Sequence, residues 1–195
     1  MAALLVAGLS GGLIGCAGLP AKPVVVRAEG DVHLTGRLSI QVSSSTARPT
    51  GGNVGFDLSG NPAAGQLELS TPLGSLVARA TWGAGEVKLQ TPEGERQFTD
   101  LDELSRELLG EAIPVAALFD WLQGRPWPQM SSRPLAQEQA GFEQLGWRID
   151  LSGFDAAGKQ GVITAAKGAN AGANANSSEP IVTLRARVEP SSATP

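Results

Sequence analysis

At 195 residues the chain has the length of one domain with a sizeable core. A formal net charge of −4 argues against a nucleic-acid partner, and one Cys with one His provide neither an intramolecular disulfide nor a zinc site of the usual nitrogen and sulfur kind. With 25 Gly, 13 Pro and only 17% charged residues, the composition points to a turn-rich, mainly β protein.

Residues 2–15 are apolar or small throughout, and Cys16 follows. The run is too short to cross a bilayer as a helix but matches the apolar region of a signal peptide. Leu13-Ile14-Gly15-Cys16 resembles a bacterial lipobox, in which the cysteine is lipidated on sulfur, the peptide is cut before it, and the new amine is acylated. One departure is the lack of Lys or Arg ahead of the apolar run. The alternative is an ordinary signal peptide with an incidental Cys. Two or more acyl chains anchor a protein stably without a membrane-spanning helix. Ala17, where Asp would mark inner-membrane retention in many Gram-negative bacteria, resembles an outer-membrane address. Residues 1–15 thus read as a signal peptide and 16–30 as a lipidated N-terminus and tether, with Pro20 and Pro23 in it. Extended, the tether spans about 45–50 Å. Residues 31–190 read as one domain and 191–195 as a tail.

The domain opens with apolar residues at 32, 34, 38, 40 and 42, a long strand with a break or bulge expected at Gly36. His33 falls on the polar parity and reads as a surface residue. Ser43–Gly52 reads as a turn or loop, and Val54, Phe56 and Leu58 share one face of a second strand. After the Asn61-Pro62 turn, Leu67 and Leu69 alternate with polar partners. Pro72 cannot donate to a ladder, and Gly74 lets the chain turn, so Pro72-Leu73-Gly74 is a loop. Leu76, Ala78 and Ala80 then resume a period of two. Leu73 is the anomaly, because a leucine held in water forfeits roughly 1.5–3 kcal/mol of burial. Either it folds back into the core, or its burial partner is not part of this protein. A Gly83-Ala84-Gly85 turn, a strand with Val87 and Leu89 inward, and a Pro92–Gly94 hairpin turn before Arg96–Phe98 complete a run of short strands typical of an antiparallel sandwich or barrel.

The pattern then becomes helical. Asp100-Leu-Asp-Glu103 is a capping box, Leu101, Leu104 and Leu108 share a face, and Gly110 supplies a stop. Pro114 suits the first turn of a second helix, with Val115, Leu118, Trp121 and Leu122 as its apolar stripe and Gly124 as its end. These helices need an apolar partner, and the sheet is the one available. Residues 125–134 read as an irregular loop, with Trp127 held between prolines. Strands resume near 141–144 and over 146–151, where Trp147, Ile149 and Leu151 share a side. A weaker strand at 161–164, a Gly/Ala/Asn/Ser-rich loop at 167–179 and a closing strand over 181–188 follow.

The pieces Gly36-Arg37-Leu38, Phe56-x-Leu58, Ser70-Thr-Pro-Leu-Gly-Ser75, Ala112-Ile-Pro114, Trp121-Leu-Gln-Gly-Arg-Pro126 and Gly146-Trp147 stand in one order over roughly residues 32–155. Together with the lipobox they resemble the outer-membrane lipoprotein receptor LolB family. The resemblance implies an incomplete, half-open antiparallel β-barrel of about eleven strands, with short α-helices packed over an apolar cavity. It implies a receptor that takes acylated lipoproteins from the periplasmic carrier LolA and delivers them to outer-membrane lipid, working as a monomer with no cofactor and no catalysis. It also implies that Leu73, with Pro72 and Gly74, forms a membrane-insertion loop. The family often has Trp where this chain has Leu58, and the 168–178 loop is unusual for it.

Transfer between apolar cavities suits such cargo, since exposing one long acyl chain costs on the order of 10 kcal/mol at about 0.8 kcal/mol per methylene. The candidate cavity residues are Phe56, Leu58, Leu67, Leu69, Val87, Leu89, Leu118, Trp121, Leu122, Trp147 and Ile149. Plain core packing is the alternative for each. Two other functional classes compete: an outer-membrane lipoprotein that binds another apolar ligand or serves structurally, and an enzyme. Against the enzyme, G-x-S-x-G occurs only within the signal peptide, and no P-loop or metal-ligand cluster is present. Asp100, Asp102 and Glu103 sit at a helix start, where the dipole favours carboxylates.

Overall fold

The computed structural model describes residues 31–43, 50–109, 115–136, 139–168 and 181–190. The expected signal peptide, Cys16 with the expected tether, Gly110, Pro114, most of the expected 167–179 loop and the expected 191–195 tail lie outside the described residues, as does the side chain of Leu108.

Eleven strands and two helices follow one another: β1 (Val32–Ser43), β2 (Thr50–Gly60), β3 (Gly65–Ser70), β4 (Leu76–Gly83), β5 (Glu86–Thr91), β6 (Gly94–Phe98), α1 (Leu101–Leu109), α2 (Val115–Trp121), β7 (Ser132–Pro134), β8 (Gly141–Gln144), β9 (Trp147–Asp155), β10 (Gln160–Lys167) and β11 (Ile181–Val188). All eleven strands form one antiparallel sheet in the order β6-β5-β4-β3-β2-β1-β11-β10-β9-β8-β7. It is a meander in two halves, joined where β11 returns to pair with β1. The sheet does not close into a barrel: β6 and β7 are its free edges, and the helices occupy the stretch of chain between them. This is the mainly β, half-open arrangement that the family resemblance implies; the strand spacing alone left sandwich and barrel open. Both edges carry charge or proline, Glu95 and Arg96 on β6, Arg133 and Pro134 on β7, which discourages pairing with another chain.

One apolar cluster draws residues from β1–β5, both helices and β8–β11, so the sheet curls around the helices. The short helix α2 ties the two halves. Phe119 meets Trp82 of β4 edge to face, with ring centroids 5.9 Å apart, and Trp121 meets Trp147 of β9 at 6.1 Å. Edge strand β6 is tied to α1 by Arg96, whose guanidinium stacks over Phe98 and pairs with Glu107 at 3.0 Å.

Three expectations need correction. Gly36 is neither a break nor a bulge, since the β1–β2 register runs unbroken from Val32 to Val42. Glycine stands there because a Cβ would lie 1.9 Å from the Arg187 carbonyl oxygen. The Ser43–Gly52 loop is shorter than its composition suggests, because Thr50, Gly51 and Gly52 pair with Val42, Gln41 and Ile40. The 125–134 loop ends in a strand, β7, held by the register Ser132 to Gln144 and Pro134 to Phe142.

Candidate functional site

The β3–β4 hairpin ends in Pro72, Leu73 and Gly74. The Gly74 N–H donates to the Thr71 carbonyl at 2.8 Å, closing a turn with Pro second and Gly fourth. Gly74 has φ +85°, and the Thr71 N–H donates to the Ser75 carbonyl at 2.8 Å, so this is a three-residue hairpin loop of turn plus left-handed glycine. The Ser75 N–H donates to Thr71 Oγ1 at 3.1 Å. With backbone groups satisfied inside the loop, nothing folds Leu73 back. It is 96% exposed, the most exposed of the large hydrophobic residues described. Of the two readings of Leu73, tucked in or facing outward, the structure has the second.

Between the helices and the sheet lies an apolar cavity of about 130 Å³. Seven of the candidate residues line it: Phe56, Leu58, Leu67, Leu69, Leu118, Trp121 and Leu122. Val87, Leu89, Trp147 and Ile149 do not; they are buried in the packed body of the core. Val87 is opposite Trp82 and Phe98, Trp147 lies against Trp121, and Ile149 is opposite Phe142 and Ala165. Helix α1 adds Leu104 and Ser105 to the lining, and α2 adds Val115. Ser105 keeps the wall apolar by donating its hydroxyl to the Asp102 carbonyl at 3.1 Å. Leu38, Ile40, Ile163, Ala165, Leu184 and Ala186 complete the floor from β1, β10 and β11. Their inward parity is the signal that could have found them; the two alanines leave room because they are small.

The helical side is fixed at two points. The capping box at α1 forms with the Glu103 N–H donating to Asp100 Oδ1 at 2.7 Å. The return bond comes one residue earlier than a standard box, from the Thr99 N–H to Glu103 Oε2 at 2.7 Å, and it holds the Glu103 carboxyl below the usual carboxylate range. At the end of α2, the buried Gln144 of β8 uses all four of its hydrogen-bonding positions. Its Oε1 accepts from Trp121 Nε1 at 2.8 Å and from the Trp127 N–H at 2.9 Å. Its Nε2 donates to the carbonyls of Trp127 at 2.8 Å and Met130 at 2.7 Å. Asp120, also buried, pairs with Arg125 at 2.6 Å. His33 lies on the outer surface, 3.0 Å from Asp57. Among the described residues no group of three or more His, Cys, Asp or Glu side chains is placed to hold a metal ion.

The family model described as "Outer membrane lipoprotein LolB" matches residues 31–171, from the start of β1 past the end of β10. The chain is 35% identical over 156 residues to the outer-membrane lipoprotein LolB of Bordetella petrii, covering 77% of this chain and 78% of that one. It is 32% identical over 159 residues to its namesake from Thiobacillus denitrificans, covering 78% and 83%. Against that of Pseudomonas aeruginosa PAO1 it is 31% identical over 157 residues, covering 73% and 76%. With the family model spanning both helices and ten of the strands, the chain belongs to the LolB family of outer-membrane lipoproteins.

Proposed function

We propose that this chain is a lipoprotein receptor of the outer membrane. It accepts acylated lipoproteins from the periplasmic carrier LolA in the cavity beneath α1 and α2, and inserts them into the outer membrane without catalysis. It works as a monomer anchored on the periplasmic face by lipid on Cys16. Membership of a family of outer-membrane lipoproteins supports the setting. The observation that carries the delivery step is Leu73, held out in water at the tip of a rigid hairpin.

The cavity and the prong share one hairpin. Leu69 stands in the cavity wall, and Leu73 is four residues further along. At about 130 Å³ the cavity is close to an engineered apolar cavity of roughly 150 Å³ that holds benzene, too small for a long acyl chain. Loading therefore moves the helices away from the sheet, and the apolar side chains of Leu118 and Leu122, only half-buried, are the ones that slide along the incoming chain. Leu73 contributes at most a few kcal/mol on entering a bilayer, far less than the acyl groups of the anchor. Its role is to orient the cavity against the bilayer and to disturb lipid packing at release.

The test places the full acylated chain in liposomes and supplies a lipoprotein bound to LolA. Leu73→Glu is expected to accept the cargo and to fail in passing it to the lipid. Normal delivery by this variant removes the membrane role of the loop.

A further inference from the structure

We propose that the outer face beside the Leu73 hairpin is a docking surface for anionic lipid headgroups, engaged through Arg37, Arg185 and Arg187. The proposal rests on the membrane reading of Leu73 and adds to it the chemistry of the lipid that the prong meets.

The sheet register places these residues together. Arg187 of β11 is directly opposite Arg37 of β1, Arg37 is opposite Gly55 of β2, and Gly55 is opposite Ser70 of β3. At about 4.8 Å between strands, this row runs roughly 15 Å from Arg187 to Ser70, the residue that leads into the loop. Arg185 lies two positions from Arg187 on the same face, opposite Ser39. Leu38, Leu184 and Ala186 alternate with these residues and point to the cavity, so the three guanidinium groups are on the other side of the sheet.

An open trough of about 610 Å³ lies on this outer face. Arg37, Arg185, Arg187 and Glu189 line it together with Pro72 and Gly74 of the loop. Its floor at β2 is Gly55, where a Cβ would come 2.9 Å from Ser70 Oγ. The trough is thus continuous from the arginines to the base of the prong.

The charge is compensated only in part. Two arginines directly opposite one another on a sheet repel. All three are exposed, and among the described residues none forms an ion pair. Arg79, Arg96, Arg125 and Arg133 are each paired with a carboxylate. Glu189 offsets one charge of the three. On the hairpin itself, Arg79 and Glu68 neutralise each other at 2.7 Å. What is left beside the prong is a cationic trough whose counter-charge comes from outside the chain. Guanidinium forks bind phosphate oxygens bidentately. With Leu73 among acyl chains, the trough at its base lies at headgroup depth, where lipid phosphates are. Each basic residue held at an anionic surface strengthens adsorption about fivefold, so the net two charges give on the order of 25-fold.

The test uses the full acylated chain carrying Ser75→Cys. With Cys16 acylated, the new thiol takes an environment-sensitive fluorophore that reports the ratio of inserted to free loop. The chain is reconstituted in vesicles of phosphatidylcholine alone, or of phosphatidylcholine mixed with phosphatidylglycerol. Phosphatidylglycerol is expected to raise the ratio roughly 10- to 50-fold at low ionic strength, and high salt to cancel the rise. The triple variant R37Q/R185Q/R187Q is expected to show the phosphatidylcholine value on both vesicles, and R37K/R185K/R187K to keep most of the rise. A wild-type chain indifferent to phosphatidylglycerol, or a glutamine variant that still responds to it, overturns the proposal. So does a glutamine variant whose only defect is in taking cargo from LolA, since the trough would then dock a protein. Leu73→Glu in the same chain separates the two readings. If its loop still inserts into phosphatidylcholine, the membrane role of the prong fails, whatever the arginines do.

Discussion

The indole Nε1 of Trp121 donates to the side-chain oxygen of Gln144 at 2.8 Å, and both residues are almost completely buried. This bond joins the last residue of α2 to the second strand in from the open edge of the sheet. The other three bonds of Gln144 hold Trp127 and Met130, so one amide fixes the helix end, the loop after it and the sheet rim.

Gln144→Leu is therefore expected to destabilise the fold by about 2–4 kcal/mol, because it orphans an indole donor, a backbone N–H and two carbonyls at once. At about 2–4 °C per kcal/mol for a chain of this size, thermal unfolding should drop by roughly 5–15 °C. A drop below about 2 °C would mean that water or a local shift replaces these bonds.

The sequence made 141–144 legible as a strand, but not that a buried amide at Gln144 would organise the rim. Alternation is a local property and revealed β1, β5, β9 and β11 well. It failed at Thr50–Asn53, where no side chain is large and apolar and the register comes from β1. It failed again at Ser132–Pro134, which is a strand only because β8 lies beside it. The cavity shows the same limit. Leu67 and Leu69 have the same alternating pattern as Val87 and Leu89, yet only the first pair faces open space. Periodicity shows that a residue points inward; what stands opposite depends on the packing of helices that arrive later in the chain.

Leu73→Glu is expected to leave stability unchanged within about 0.5 kcal/mol, because a residue 96% exposed has no packing to lose. Thermal unfolding checks this. A marked loss of stability would mean that Leu73 has a partner within the chain, and the delivery defect expected of this variant would then have a trivial cause.

Ala165→Leu adds volume to the cavity floor without introducing a polar group. Overpacking costs typically 1–3 kcal/mol, but here the side chain has space to enter, so the fold is expected to survive with a loss near the lower figure. Uptake of a fluorescent fatty-acyl probe, followed by quenching of Trp121, should weaken about tenfold or more. Unchanged uptake would show that acyl chains bind elsewhere.

Acid should loosen the start of α1. The hydrogen bond from the Thr99 backbone lowers the pKa of Glu103 in the folded chain below its unfolded value. A lowered folded pKa gives stability that is present above the unfolded pKa and lost as pH falls through the folded one. The protection factors for hydrogen exchange over residues 100–105 should therefore fall on acidification. Glu103→Gln, which keeps an acceptor oxygen but does not titrate, should flatten that dependence. Equal acid sensitivity in the variant would place the cause in another carboxylate.

Gly36 and Gly52 make a controlled pair on adjacent strands. A Cβ at Gly36 would lie 1.9 Å from the Arg187 carbonyl oxygen and 2.9 Å from Phe56 Cε1, whereas one at Gly52 meets nothing within 4 Å. Gly36 sits where β1 is flanked by both β2 and β11, at the seam between the two halves of the sheet. Relief of the contact must move backbone of β11, since a carbonyl cannot rotate away as a flexible side chain would. Gly36→Ala is expected to cost at least about 2 kcal/mol, in the range of severe core substitutions, and Gly52→Ala to stay within about 0.5 kcal/mol. Denaturant unfolding of the two variants side by side checks both values. If Gly36→Ala is as mild as Gly52→Ala, the seam can open without penalty, and the two halves of the sheet are less tightly joined than their register requires.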